Sequence, residues 1–160
     1  MSHRISESKN QSAISDLEAH LGYWLRMVSN HVSHEFSLKV EAHGVTVAEW
    51  VVLRQLLEMG EVHPSELAER LGMTRGAISK LVERLVAKRH ILRSADGEDG
   101  RYQSVKLAES GRRLVPVLAA LADKNDAEFF GHLSAEQLAK LMETLKEIAN
   151  RRLLRSIPVD

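Results

Sequence analysis

The stretch PSELAERLGMTRGAISKLVERLVAKRHILRSADGEDGRYQSVKLAESG, running from Pro64 to Gly111, holds two short helical patterns and then two strand patterns around a polar turn. Its second helix is the most legible part. Thr74 offers a hydroxyl as N-cap, and Ile78, Leu81, Val82 and Leu85 follow at the three-and-four spacing that puts them on one buried stripe. Winding at about 100° per residue sets Gly76, Ser79, Lys80, Glu83 and Ala87 opposite that stripe. The outward face is therefore small and polar near its start. Small residues let a helix come close to a DNA major groove, and Ser79 or Lys80 can then reach base edges or phosphates. Arg75 and Arg84 flank the face, each able to bind guanine through two hydrogen bonds or to grip a phosphate.

The preceding helix carries its own punctuation: Pro64 suits the first helical position, Leu67, Ala68 and Leu71 form the stripe, and Gly72 suits a left-handed end. Only Met73 separates Gly72 from the cap at Thr74, the short turn that holds one helix across another. Beyond them, Ile91–Ala95 and Tyr102–Leu107 read as strands of a hairpin whose turn is Asp96-Gly97-Glu98-Asp99-Gly100-Arg101. Asp99 stands two residues before Arg101, near enough to orient its guanidinium, and an arginine held so can reach a narrow minor groove. The fold class expected is mainly α: a winged helix-turn-helix with a short β-hairpin wing, plus N- and C-terminal helices forming a dimerisation region.

These residues resemble the MarR (multiple antibiotic resistance regulator) family of bacterial transcription factors. The likeness lies in the helix-turn-helix, the passage LVERLVAKRHILR, the wing with Asp99-x-Arg101, and the following LAESG, about the central third of the chain. The resemblance implies an obligate homodimer with interlocked terminal helices. Each subunit would put its recognition helix into a major groove and the wing arginine into the neighbouring minor groove. It also implies small aromatic or phenolic anions as effectors, bound between the dimer helices and the winged part, with Trp24, Arg26, His31, Phe36 and Trp50 as candidate lining. Trp and Phe at these spacings also suit a plain core.

With 160 residues and 44% hydrophobic content, the chain can bury one sizeable core, and a single domain over residues 1–160 is expected. Within it, residues about 46–107 form the winged core, and about 12–42 and 108–157 supply dimerisation helices. Formal net charge is zero, which at first argues against a nucleic-acid partner. The distribution answers that objection: residues 70–113 hold eleven Lys or Arg against five Asp or Glu, so this segment is +6 and the remainder −6. There is no cysteine, hence no disulfide or thiolate site. The start MSHRISESKNQSAISD has no apolar signal region, and no run of about 18 apolar residues could span a bilayer, so a cytoplasmic protein without a membrane partner is expected.

Apolar spacing continues towards both ends. Ile14, Leu17, Leu21, Trp24, Leu25, Val28, Val32 and Phe36 mark one long amphipathic helix to about residue 41. A helix from near Ala108 contains Pro116, which predicts a kink or a late start. A last one begins at Ser134, with Gln137 completing a capping box, and its stripe of Leu138, Leu141, Met142, Leu145 and Ile148 extends to Leu153, Leu154 and Ile157. Such surplus apolar surface fits either an intramolecular layer or a second copy of the chain. A helix over Thr46–Met59, between Gly44 and Gly60, leads to Val62-His63, a candidate third strand.

Other chemistry is poorly supported. His34-Glu35 opens like HExxH, but Leu38 replaces the second histidine; His31 and His34 at helical spacing suit ordinary surface residues better than a metal or acidic ligand site. Asp96-x-Glu98-x-Gly100 is shorter than a calcium loop and lacks its bidentate glutamate. No phosphate loop, dinucleotide fingerprint or nucleophile elbow occurs, so neither an enzyme nor a cofactor or metal is expected. Lys88 and Arg89 at a helix end fit dipole compensation, Arg93 is a possible DNA contact, and Arg112 and Arg113 fit flanking phosphates or plain solvation. The candidate DNA contacts are Thr74, Arg75, Gly76, Ser79, Lys80, Arg84 and Arg101. The reading is a homodimeric, ligand-responsive repressor on a pseudo-palindromic site in double-stranded DNA; the alternative is a winged-helix module that binds protein.

Overall fold

The computed structural model describes residues 14–96 and 102–155, which divide after Glu35 into two compact units. In the first, a 3₁₀ turn at Leu17–Ala19 precedes helix α1, Leu21–Glu41, whose final residues lie in the second unit. The apolar spacing predicted one continuous helix from Ile14, but the chain is extended at His20 (φ −90°, ψ 120°). The Trp24 indole N–H donates to the Glu18 carbonyl at 2.8 Å and fastens the break. Ile14, Leu17 and Leu21 are 75, 64 and 69% exposed, so among the described residues of one chain no burial rewards a continuous helix, and unpacked helical turns are marginal in water.

The second unit is built around a winged helix-turn-helix. Helix α2, Val47–Met59, starts with a reciprocal capping box in which Thr46 Oγ1 accepts the Glu49 N–H and the Glu49 carboxylate accepts the Thr46 N–H. Val62 then joins Val105 by two backbone bonds, at 3.1 and 2.8 Å. The expected third strand is thus a single bridge, because His63 already gives its N–H to the Glu66 carboxylate to start the next helix. Helix α3, Pro64–Leu71, ends at Gly72 in the left-handed region (φ 65°), and α4, Arg75–Ala87, begins after Thr74. Strands β1, Ile91–Asp96, and β2, Tyr102–Leu107, pair antiparallel, with Ile91 opposite Leu107 and Ser94 opposite Ser104.

Leu53 and Leu56 of α2, Leu67 of α3, Ile78 and Leu85 of α4 and Ile91 of β1 form the centre of the core, each at most 1% exposed. Leu118 joins them from α5, Glu109–Phe130. Each such side chain stabilises the fold by about 1.5–3 kcal/mol relative to exposure. Pro116 lies inside α5, so the helix accepts one missing amide donor and does not start late. Gly111 allows its first turn to sit on the chain that follows α4: a Cβ there would lie 2.3 Å from the His90 carbonyl oxygen.

Helix α6, Ala135–Arg151, carries the expected Ser134–Gln137 capping box. It stops short of the predicted stripe. Leu153 turns left-handed (φ 53°), the Leu154 N–H bonds back to the Ala149 carbonyl, and Ile157 falls outside the described residues. Among the described residues, no helix is long and apolar enough to cross a membrane.

Candidate nucleic-acid interface

The helix-turn-helix delivers α4 with one face sealed and the other open. Ile78, Leu81, Val82 and Leu85 are buried, while Thr74, Arg75, Gly76, Ser79, Lys80 and Arg84 are all exposed. Glu83 shares the outward face, an acidic exception one turn beyond Ser79 and Lys80. Thr74 caps as expected, its Oγ1 accepting the Ala77 N–H at 3.1 Å. Arg101 and its proposed orienting partner Asp99 lie outside the described residues.

Two features of α4 have no intramolecular use. The other four helices that begin in this unit carry glutamate in their first turn, at Glu49, Glu66, Glu109 and Glu136, where it complements the positive end of the helix dipole. Helix α4 carries no acid there and opens on Arg75. Gly76 follows in the first turn, where glycine is less favourable than alanine by less than the ~1 kcal/mol of a helix interior, and an added Cβ would meet nothing within 4 Å. Positive charge left uncompensated and a side chain omitted without steric need both suit an anionic surface brought close from outside.

The other basic residues divide by their partners. Lys88 is held within the protein: its Nζ donates to Glu49 Oε2 at 2.7 Å and to the Gly44 carbonyl at 2.8 Å. Glu49 is 1% exposed, so Lys88 serves mainly as its counterion, a role more specific than dipole compensation. The capping spacing Thr46-x-x-Glu49 was the available sequence signal for this carboxylate; its distant lysine had none. Arg89 adopts φ 63°, and the His90 and Arg89 N–H groups bond to Leu85 and Val86 carbonyls in a Schellman closure usually made by glycine. Arg113 pairs with Glu109 at 3.2 Å, whereas Arg112 and Arg93 are exposed. Among the described residues, Arg75, Lys80 and Arg84 enter no ion pair.

The Ser110 hydroxyl donates to the Arg89 carbonyl at 2.6 Å, so its lone pair is free to accept from His90 Nδ1, 3.1 Å away. Burial holds the His90 imidazole below its ordinary pKa, and the Lys88 charge lowers it further against a smaller opposing pull from Glu49.

The candidate effector residues are only partly brought together. Phe36 and Trp50 meet edge to face at 6.5 Å, half-buried against the core. Trp24 and His31 use ring nitrogens on the Glu18 and Met27 carbonyls, and Arg26 is exposed. Among the described residues, no three His, Asp or Glu side chains converge as a metal site.

A hairpin wing beside two crossed helices, the second offering an open basic face, defines a winged helix-turn-helix of the DNA-binding class. Comparison with known proteins is specific. Residues 43–101 match the model of the MarR family. The chain is 27% identical over 133 residues to the HTH-type transcriptional repressor Mb2911 of Mycobacterium bovis, covering 83% of this chain and 96% of that protein. It superposes on an Escherichia coli MarR mutant complexed with operator DNA with a TM-score of 0.71 and 26% identity, covering 80% of this chain and 92% of that one. CouR of Rhodococcus jostii bound to p-coumaroyl-CoA gives a TM-score of 0.72 at 25% identity, covering 85% and 96%. The chain is similar to transcriptional regulators of the MarR family, most specifically over residues 43–101.

Proposed function

We propose that the chain acts as a homodimeric repressor that reads a pseudo-palindromic operator through α4. Thr74, Arg75, Gly76, Ser79, Lys80 and Arg84 would face the major groove, and Arg101 the adjacent minor groove. The observation that carries this is the first turn of α4, among the described residues the one helix start in its unit with a cation in place of an acid. The operator complex of the E. coli relative and the repressor name of the mycobacterial one support it.

Uncovered apolar faces support the dimer. No residue of α6 is buried, and Leu138, Leu141, Met142, Leu145 and Ile148 stand 39–48% exposed along one side. Leu21, Trp24, Leu25 and Val28 of α1 are likewise exposed. A second copy of these helices would remove both faces from water. Response to a small aromatic or phenolic anion belongs to this reading by analogy with CouR, and a panel of aromatic carboxylates that left the melting temperature unmoved would remove it.

Selection from a random duplex library provides the main test. The expected product is an inverted repeat with half-site centres about 10 base pairs apart, bound cooperatively in the presence of excess random DNA. Affinity should fall steeply with salt. Absence of any duplex affinity in dilute buffer would leave the fold as a protein-binding module.

A further inference from the structure

The hairpin is gripped from two sides. On one face Ile91, Val105 and Leu107 are buried in the core. On the other a single carboxylate gathers two donors from β2. Glu61, in the connector between α2 and α3, accepts the Ser104 hydroxyl on Oε1 at 2.6 Å, and its Oε2 lies 3.6 Å from Lys106 Nζ. Ser94 and Ser104 are cross-strand partners and Lys106 lies two residues past Ser104, so alternation of side chains puts all three on one face. Ser104 is 3% exposed, which makes its hydroxyl costly to leave unpaired.

The donors keep the Glu61 carboxyl below the usual glutamate range, the Ser104 bond contributing most, with Lys106 assisting against the cost of desolvation. Glu61 also adjoins the Val62–Val105 bridge and lies two residues before His63, whose N–H is held by Glu66 at the start of α3. One anion therefore links the wing to the chain segment that launches the helix-turn-helix.

We propose that Glu61 is a positioning residue for DNA recognition: by holding Ser104 and Lys106 of β2 to the connector that launches α3, it sets the angle at which the wing leaves the helix-turn-helix. This rests on the wing reading given under the proposed function. Loss of a negative charge cannot by itself weaken binding to a polyanion, so a selective loss at the wing would have a geometric origin.

The test compares operators with A·T-rich and G·C-rich flanks, bound by the wild type, Arg101→Ala, Glu61→Ala, Ser104→Ala and the Arg101→Ala/Glu61→Ala double variant. Glu61 is 42% exposed, so its removal should leave a folded dimer. Ser104→Ala cuts the same bond from the other side. Glu61→Ala and Ser104→Ala should each lower the A·T-flank preference about fivefold, the worth of one hydrogen-bonded pin, without weakening binding to G·C-flanked sites. In the Arg101→Ala background Glu61→Ala should change nothing further, because the two act through one contact. Equal weakening on all flanks, an unchanged preference, or additive effects would overturn the proposal. If Arg101→Ala itself left flank preference intact, the wing reading would fail, and this inference with it.

Discussion

Gly76 shows how one residue can report a partner that is absent. It lies in the first turn of α4, an added Cβ would touch nothing, and its exposed neighbours are Arg75, Ser79 and Lys80. Folding alone would favour alanine. Gly76→Ala should therefore raise stability by less than about 1 kcal/mol in denaturant titration, while the added methyl, at the point of closest approach, weakens operator binding by about fivefold or more. Opposite signs in the two assays identify a glycine retained for an external surface; a stabilised variant with unchanged DNA affinity would rule that out. The exposure of this position and of its neighbours on α4 was legible from helical periodicity alone. Arg89 was not, since its left-handed backbone occurs without the glycine that normally announces it.

At the level of elements, α4 is secured at both ends by different chemistry. Its start is capped locally by Thr74, three residues from the N–H it serves. Its end is tied by Lys88 to Glu49, 39 residues away in sequence. Glu49 is buried and its Oε1 has no hydrogen-bond partner, so removing the lysine would leave an uncompensated interior charge. Lys88→Met should cost about 2 kcal/mol, below the ~3–5 of a wholly buried pair because the lysine side chain is 37% exposed. Adding Glu49→Gln should recover most of the loss in equilibrium unfolding at fixed protein concentration. Additive losses would mean that Lys88 acts through something other than Glu49. The capping spacing around Thr46 could be read in sequence, but the ion pair across the unit could not, because nothing local distinguishes Lys88 from its basic neighbours.

The whole molecule raises the question of what covers its apolar helices. The α6 stripe has a regular helical period and a complete capping box, yet none of its residues is buried. Two turns of it, Leu141 and Leu145, are 39 and 42% exposed. Leu141→Arg with Leu145→Glu should convert a dimer into monomer in analytical ultracentrifugation and abolish cooperative binding to an inverted repeat, while leaving the winged core folded by circular dichroism. An unaltered sedimentation coefficient would assign that face to another partner. The chain's zero net charge is consistent with nucleic-acid binding only because its basic residues gather in the central segment, which supplies the proposed interface.

Period and punctuation determined the helix-turn-helix, the hairpin and the open face of α4, since stripes, caps and turns act over a few neighbouring residues. Tertiary structure alone decided the break at His20, the early end of α6, the destination of Lys88 and the grip of Glu61 on the wing. Each of these depends on whether a surface is buried or which distant group lies within hydrogen-bonding reach, and chain folding brings those groups together across separations that local spacing does not encode.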